Sequence, residues 1–535
     1  MISRIKYIFS RFYKNPLYTL KIALDKAAKY LEDNFVINSL SNPYLEHCIK
    51  YWKRTELFDG PVILCDISES PGFIISNNYF LQILSDRYKG QIFTFSKNKQ
   101  YNLKKIRKYQ NFSGHIQIKL TEKKLIREMK LIFNKAKEEI CNKEQLFNYK
   151  IEDIWIGIDI YETYLRFGNP TVDIKDPELW KIFLDAVEMI LFWKNFFAKN
   201  NVNSVLLTHD CYLYYNTIAK VAYLHKKPVY FCSIYCYQKA TEPFSLYKYR
   251  YINYRKMFEK LSSDEKSKGI EISKNQLQKR LNGEVGVNMK YSTKSAFHKN
   301  FSSKVIKNSN KTKVLICTHC FFDNPHGYGG MIFLDFYEWL VFLGEISNIT
   351  DYDWYVKTHP DYLPGTIETL KKIIIKYPKL KLLPSHISFH QLANEKIDFA
   401  LTCFGSVGHE LPLLGINVIN CAYNPHIAYD FNWHAKTKKE YKELLLNLPI
   451  LEKKISFDEI YECFYIHYYY TYVDNLFFDS YNNFIDTLNY GKGRNILAYK
   501  YFLSQFNENK HQKIKSDITN FIESDKKNFF LKGPE

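Results

Sequence analysis

Two short stretches, DWYVKTHPD (residues 353–361) and DFALTCFGSVGHELPLLGINVIN (residues 398–420), constrain the fold more than any other part of the sequence. Each begins with an apolar run too short for a helix and continues into a polar loop. Trp354, Tyr355 and Val356 read as a buried strand with Lys357, Thr358, His359 and Pro360 at its carboxyl end. Phe399 to Cys403 read as a second, followed by Gly405, Ser406, Val407 and Gly408 and a helix opening on His409 and Glu410. Short apolar strands alternating with helices predict a parallel sheet. In such a sheet ligands collect outside the carboxyl ends of the strands. Small residues there let the backbone come close to a ligand and aim N–H groups at an anion. Two such loops in one half-domain predict a phosphate-bearing ligand.

A strand ending in Lys-Thr-His-Pro, then Gly-Ser-Val-Gly-His-Glu, then Leu-Gly-Ile-Asn-Val-Ile, resembles the donor half of GT-B glycosyltransferases. The resemblance is strongest to bacterial enzymes of capsule and lipopolysaccharide assembly, among them the Kdo- and sialic-acid-transferring groups with a His-Pro motif. Its specific part spans residues 313–420. The fold it implies is α/β, with two Rossmann-like parallel-sheet domains facing a cleft and helical N- and C-terminal extensions. Residues 1–55 would be a helical extension, 56–300 the acceptor domain, 301–435 the nucleotide-sugar donor domain, and 436–535 helices packing across both. The implied activity is transfer of a sugar from a nucleotide donor, CMP- or CDP-linked, to a glycan or glycolipid acceptor, with inversion and without a metal ion or other cofactor. UDP-sugar 2-epimerases share the fold, and transferases of CDP-linked polyol phosphates lie close by, so both remain alternatives.

At 535 residues the chain exceeds one compact core, and 46% hydrophobic content with 44 Tyr and 40 Phe supplies apolar surface for two. No run approaches the roughly 18 apolar residues of a membrane span. Charges interrupt the first apolar stretch, MISRIKYIFSRFYK, so it does not read as a secretory signal. Eleven cysteines scattered through strands and helices fit a reducing cytoplasm. A formal charge of +19 predicts anionic partners. The excess is spread along the chain without a basic arm, which disfavours nucleic acid; a basic nucleic-acid-binding protein is the non-enzymatic alternative. Near the amino terminus Ile5, Ile8, Phe9 and Phe12 share one helical face amid Arg4, Lys6, Arg11 and Lys14. That segment either packs on the domain or lies peripherally on an anionic inner membrane.

Along the first half, the loop after PVILCDI carries Asp66, Ser68, Glu69 and Gly72. Such residues commonly cap the next helix, whereas the resemblance implies an acceptor-facing loop in which Glu69 supplies a catalytic carboxylate. Asp159, Glu162 and Arg166 lie close together on one half-buried segment. Arg166 either pairs with Glu162 four residues back or holds an anionic acceptor, and Asp159 joins it in the acceptor-binding set. SVLLTHD ends a further strand on Thr208, His209 and Asp210. Asp210 and then His209 precede Glu69 as candidates for the general base. Residues 241–313 are polar and weakly patterned, and the interdomain boundary falls there.

In the second half, the loop THCFFDNPHGYGG brings Gly327 and Gly329 to a position where a donor phosphate is touched. Cys317 and Cys320 form a CxxC pair, but Cys317 ends a buried strand, which does not suit a structural zinc site. His359 is the central candidate: with Lys357 before it and Pro360 after it, it is either hydrogen-bonded at the sheet edge or, as the resemblance implies, would bind donor phosphate and stabilise charge on the leaving group. Ser406 and the N–H groups from Gly405 through Val407 to Gly408 complete that cradle. Glu410 matches the ribose-binding position of GT-B enzymes, and His409 serves either purpose.

Overall fold

Short runs rich in β-branched and aromatic residues form the strands, and helices carry the chain back to the same sheet edge. The computed structural model describes residues 43–66, 71–97, 111–232, 237–241, 251–288, 294–301, 303–471 and 496–529, with Leu20, Leu24, Ser292 and Phe477. The basic segment around Ile5 to Lys14 and the loop residue Glu69 lie outside the described residues.

The first sheet is built on β1 (Val62–Cys65), β2 (Gln91–Ser96) and β3 (Gly114–Gln117). After a small hairpin of β4 (Lys150–Ile151) and β5 (Ile154–Trp155), it continues with β6 (Val202–Leu207), β7 (Val229–Cys232) and β8 (Tyr237–Ala240). The second sheet contains β9 (Lys313–Cys317), β10 (Asp353–Lys357), β11 (Leu380–Leu382), β12 (Phe399–Thr402), β13 (Asn417–Asn420) and β14 (Trp433–His434). A last strand, β15 (Asn528–Phe529), returns to the first sheet beside β8. The orders are β15-β8-β7-β6-β1-β2-β3 and β11-β10-β9-β12-β13-β14. All pairings in the second sheet are parallel, as are those from β3 to β7 in the first. The two Rossmann-like sheets expected of a GT-B fold are therefore present.

Each order reverses once, between β1 and β6 and between β9 and β12. At a reversal the two outgoing connections leave for opposite faces and open a crevice between them. The cores show this directly. The helix after β1, Pro71–Tyr88, buries Ile75, Tyr79 and Leu84 on one face, while the helix after β6, Tyr212–Leu224, buries Ile218 and Val221 on the other. In the second sheet the helix Phe336–Ile349 packs Trp339 and Leu343 on one side, and Leu411 and Ile416, after β12, pack on the other.

The chain crosses between the halves in both directions. Helix Glu508–Glu523 inserts Ile514, Ile518 and Phe521 into the core of the first sheet. Helix Ser263–Leu281, within the polar stretch before the second sheet, starts with a capping box between Ser262 and Glu265 and buries Leu277 beside Phe464 of helix Phe457–Tyr465.

One buried carboxylate joins the halves. Asp335 Oδ1 accepts the Glu338 N–H at 2.7 Å, capping helix Phe336–Ile349, while Oδ2 accepts Tyr161 Oη at 2.5 Å and Thr171 Oγ1 at 2.7 Å. Asp335→Ala removes the cap and strands the buried Tyr161 hydroxyl, which together should lower stability by about 2–4 kcal/mol. A urea titration reading less than about 1 kcal/mol would contradict this bridging role.

Candidate active site

On the second sheet, the carboxyl ends of β9, β10 and β12 bring His319, His359 and Ser406 to one edge. His359 faces solvent, and its Nδ1 accepts the Asp361 N–H at 3.0 Å as the chain turns past Pro360. The ring proton therefore sits on Nε2, available to an anion. Burial by surrounding atoms lowers its pKa, and the charges of Lys357 and Arg280 act in the same direction. Arg280, in the last turn of helix Ser263–Leu281, is the residue the sequence did not single out. Its Nε is ion-paired with Glu410, its Nη2 lies 3.4 Å from Ser406 Oγ, and its Nη1 donates to Val287 O at 2.9 Å. An arginine held this way keeps a fixed guanidinium beside the loop where an anion would sit.

Several expected ligand contacts are turned inward. Lys357 is buried: its Nζ donates to Ser385 O at 3.1 Å, lies over the Phe389 ring, and has its pKa lowered to about 8 by desolvation. Glu410 is 1% exposed and ion-paired, so it orients Arg280 and is not presented to a ribose. His409 is buried with Nδ1 3.0 Å from His426 Nε2. Gly408 is small because His426 needs the space: a Cβ there would lie 2.3 Å from His426 Cε1. Within the turn, Gly405 N–H binds Thr402 Oγ1 at 3.1 Å and Gly408 N–H binds Gly405 O at 3.0 Å. Ser406 and Val407 N–H groups then stand at the open end of the short helix Val407–Glu410. His319 is locked under this turn, its Nε2 accepting the Cys403 N–H at 3.1 Å and its ring stacked on Phe336; burial lowers its pKa to about 3.

The first sheet presents its own set at the reversal between β1 and β6. Asp66 is buried; Oδ1 accepts the Thr208 N–H at 3.0 Å, and Oδ2 lies 2.6 Å from Thr208 Oγ1. That hydroxyl is in turn 2.9 Å from His209 Nδ1. His209 is reachable by solvent but lies low among Phe73, Tyr215 and neighbouring atoms, so desolvation, followed by the charge of Arg166, lowers its pKa. Arg166 is exposed at the end of helix Gly157–Arg166, and its field also reaches Tyr212 in the same half and Cys320 in the loop after β9. Asp159 is not presented to an acceptor: it is 1% exposed, ion-paired with Lys220, and accepts Asn216 Nδ2 at 2.7 Å. Asp210 is half-buried beside His209.

The loop after β9 fastens the two sets together. Tyr212, with φ +66, adopts a left-handed conformation that costs on the order of 1–3 kcal/mol. It places its hydroxyl 2.6 Å from Asp323 Oδ1. His326 N–H binds Glu162 Oε1 at 3.0 Å, and the His326 ring lies against Phe147. Gly327 and Gly329 serve this loop's own turns, their N–H groups directed to Asn324 O and His326 O, with Gly329 at φ +120. A pocket of about 580 Å³, lined by Lys313, Asp398 and Asn417, opens on the opposite edge of the second sheet, away from all these groups.

Glu162 ties this clamp to pH. Burial raises its pKa to about 8 against the pull of the His326 N–H. A folded pKa above the unfolded value of about 4.3 means that native protein binds the extra proton, so stability falls as pH rises from roughly 5 to 8. Glu162→Gln keeps the bond and removes the ionisation. Its melting temperature should therefore gain on wild type between pH 5 and pH 8; a pH-independent difference would contradict the assignment.

No family model matches the chain, and no curated protein does. Among solved structures it is similar to Thermosulfurimonas dismutans KpsC, a beta Kdo 2,4 transferase, at 11% identity over 49% of this chain and 79% of that one, TM-score 0.28. Anabaena Alr3699/HepE in complex with UDP matches at 12% identity over 76% of this chain and 95% of that one, TM-score 0.25. UDP-GlcNAc 2-epimerase from Neisseria meningitidis matches at 10% identity over 76% and 93%, TM-score 0.20. At these identities and TM-scores no residue role or substrate is carried over from them.

Proposed function

We propose that the chain is a GT-B glycosyltransferase of surface-polysaccharide assembly. It moves a sugar from a nucleotide donor, CMP- or CDP-linked, to a hydroxyl of a glycan or glycolipid acceptor. The observation that carries this reading is the Arg280, Ser406 and His359 group at the carboxyl ends of the second sheet, whose β9 loop is bonded through Asp323 to Tyr212, three residues past His209 of the first. Two switch points in one chain, one with anion-binding groups and one holding an imidazole of lowered pKa, suit transfer between a phosphate-bearing donor and a hydroxyl acceptor. The Lys-Thr-His-Pro resemblance supports the cytidine donor.

The donor phosphate lies against Arg280, Ser406 and the Nε2–H of His359, which meet the charge developing on the departing nucleotide. Glu410 holds Arg280 in place. Arg166 draws an anionic acceptor into the cleft, and His209 removes the proton of the attacking hydroxyl, ahead of Asp210 beside it. A glycolipid acceptor would bring the protein to an anionic membrane surface, in keeping with its charge of +19. No helix among the described residues is long and apolar enough to cross a membrane.

Ligand that binds only folded protein stabilises it by about 2.7 kcal/mol at a hundredfold excess over Kd. CMP and CDP should raise the melting temperature more than UMP and UDP, without added metal. A larger shift with UDP would sink the cytidine assignment and bring the UDP-sugar enzymes forward. His359→Ala should lower kcat by about 10²–10³-fold with an unchanged melting temperature, since the side chain faces the cleft and supports no core. Near-wild-type turnover would remove His359 from the site.

A further inference from the structure

The group formed by Asp66, Thr208 and His209 is built beyond what packing requires. A buried carboxylate accepts both the N–H of Thr208, at 3.0 Å, and its hydroxyl, at 2.6 Å. With its proton donated to Asp66, the Thr208 oxygen can only accept from the neighbour 2.9 Å away, His209 Nδ1. The three residues directly follow β1 and β6, the two strands that flank the sheet reversal.

We infer that Asp66, acting through the Thr208 hydroxyl, fixes the tautomer of His209 so that Nε2 carries the lone pair that takes the acceptor proton. Asp66 and Thr208 are thus positioning residues, resting on the glycosyltransferase reading above, and His209 is the base. In the step they serve, the acceptor O–H bond breaks and its proton moves to His209 Nε2. The oxygen's electron pair forms the bond to the anomeric carbon. The bond from that carbon to the phosphate oxygen breaks, its electron pair leaving with the nucleotide, and His209 later gives the proton to water. As the imidazolium forms, Asp66 stabilises its charge through the hydroxyl, as the carboxylate of a hydrolase triad does for its histidine.

The relay has a direction that depends on Asp66. Burial pushes its pKa up to about 7, against the two bonds from Thr208. Once Asp66 is protonated it donates to Thr208 Oγ1, the hydroxyl turns to His209 Nδ1, and the ring proton moves to Nε2, which abolishes the base. The groups facing His209 are Arg166 from helix Gly157–Arg166, Tyr215 from helix Tyr212–Leu224, Phe73 from helix Pro71–Tyr88, and its neighbours Thr208 and Asp210.

The test is the nitrogen spectrum of ¹⁵N-histidine-labelled full chain, with His209 assigned by loss of its signal in His209→Gln. At pH 8 wild type should carry the proton on Nδ1 and should switch to Nε2 as pH falls through about 7. Asp66→Asn, whose amide donates to the hydroxyl, should show Nε2–H at every pH, with kcat/KM lower by about 10²–10⁴-fold at unchanged nucleotide affinity. Thr208→Val should lose far more activity than Thr208→Ser, which keeps the hydroxyl; this pair decides the matter if Asp66→Asn does not fold. A wild-type proton on Nε2 at pH 8, an unchanged tautomer in Asp66→Asn, or equal activity in the two Thr208 variants would overturn the relay. Wild type that switches tautomer as expected yet transfers no sugar would overturn the transferase reading instead.

Discussion

The loop between β9 and the helix Phe336–Ile349 ties the second sheet to the first half of the chain. Its contacts with the first half are few but well placed: Tyr212 to Asp323, the His326 N–H to Glu162, and Tyr161 with Thr171 to Asp335. Each involves a buried or half-buried polar group whose loss would leave an unsatisfied partner, and such groups rarely tolerate an alternative arrangement. The left-handed backbone of Tyr212 belongs to the same device, because strain persists only where surrounding contacts over-determine it. The two halves are therefore joined by hydrogen bonds between a loop and a domain.

Within the cleft the two sides divide the chemistry by charge. The second sheet offers Arg280 and His359, a pair whose mutual repulsion contributes to lowering the His359 pKa and would be relieved by an incoming phosphate. On the first sheet, His209 is kept neutral by desolvation and by Arg166. An imidazole kept neutral in this way is suited to take a proton. Burial contributes on both sides, since it weakens water's competition for each contact.

The strand ends at His359 and Ser406 were legible because short apolar runs followed by polar loops fix both the strand and the loop at its carboxyl end. The helix Ser263–Leu281 was legible in principle from Ser262 and Glu265, a capping box inside a stretch that otherwise reads as polar linker. What the sequence could not give is direction. Lys357 sits at the expected strand end, yet its long side chain folds back to the Ser385 carbonyl, and His409 turns toward His426 instead of the cleft. The smallness of Gly408 suggested a ligand but reflects the ring packed on it. Pairings such as Arg280 with Glu410, 130 residues apart, and Thr208 with Asp66, 142 apart, leave no local signature. Asp66 read most simply as part of a helix cap for the same reason.

The central claim is that a nucleotide occupies the reversal of the second sheet, between the β10 end and the turn after β12. Hydrogen exchange with and without CMP tests it most directly, because it maps protection onto named backbone segments. The structure predicts slowed exchange at residues 357–361, at 403–410 and around Arg280, with the amino-terminal edge of the sheet unaffected. Protection confined to the pocket lined by Lys313, Asp398 and Asn417, with none at His359 or Ser406, would contradict it.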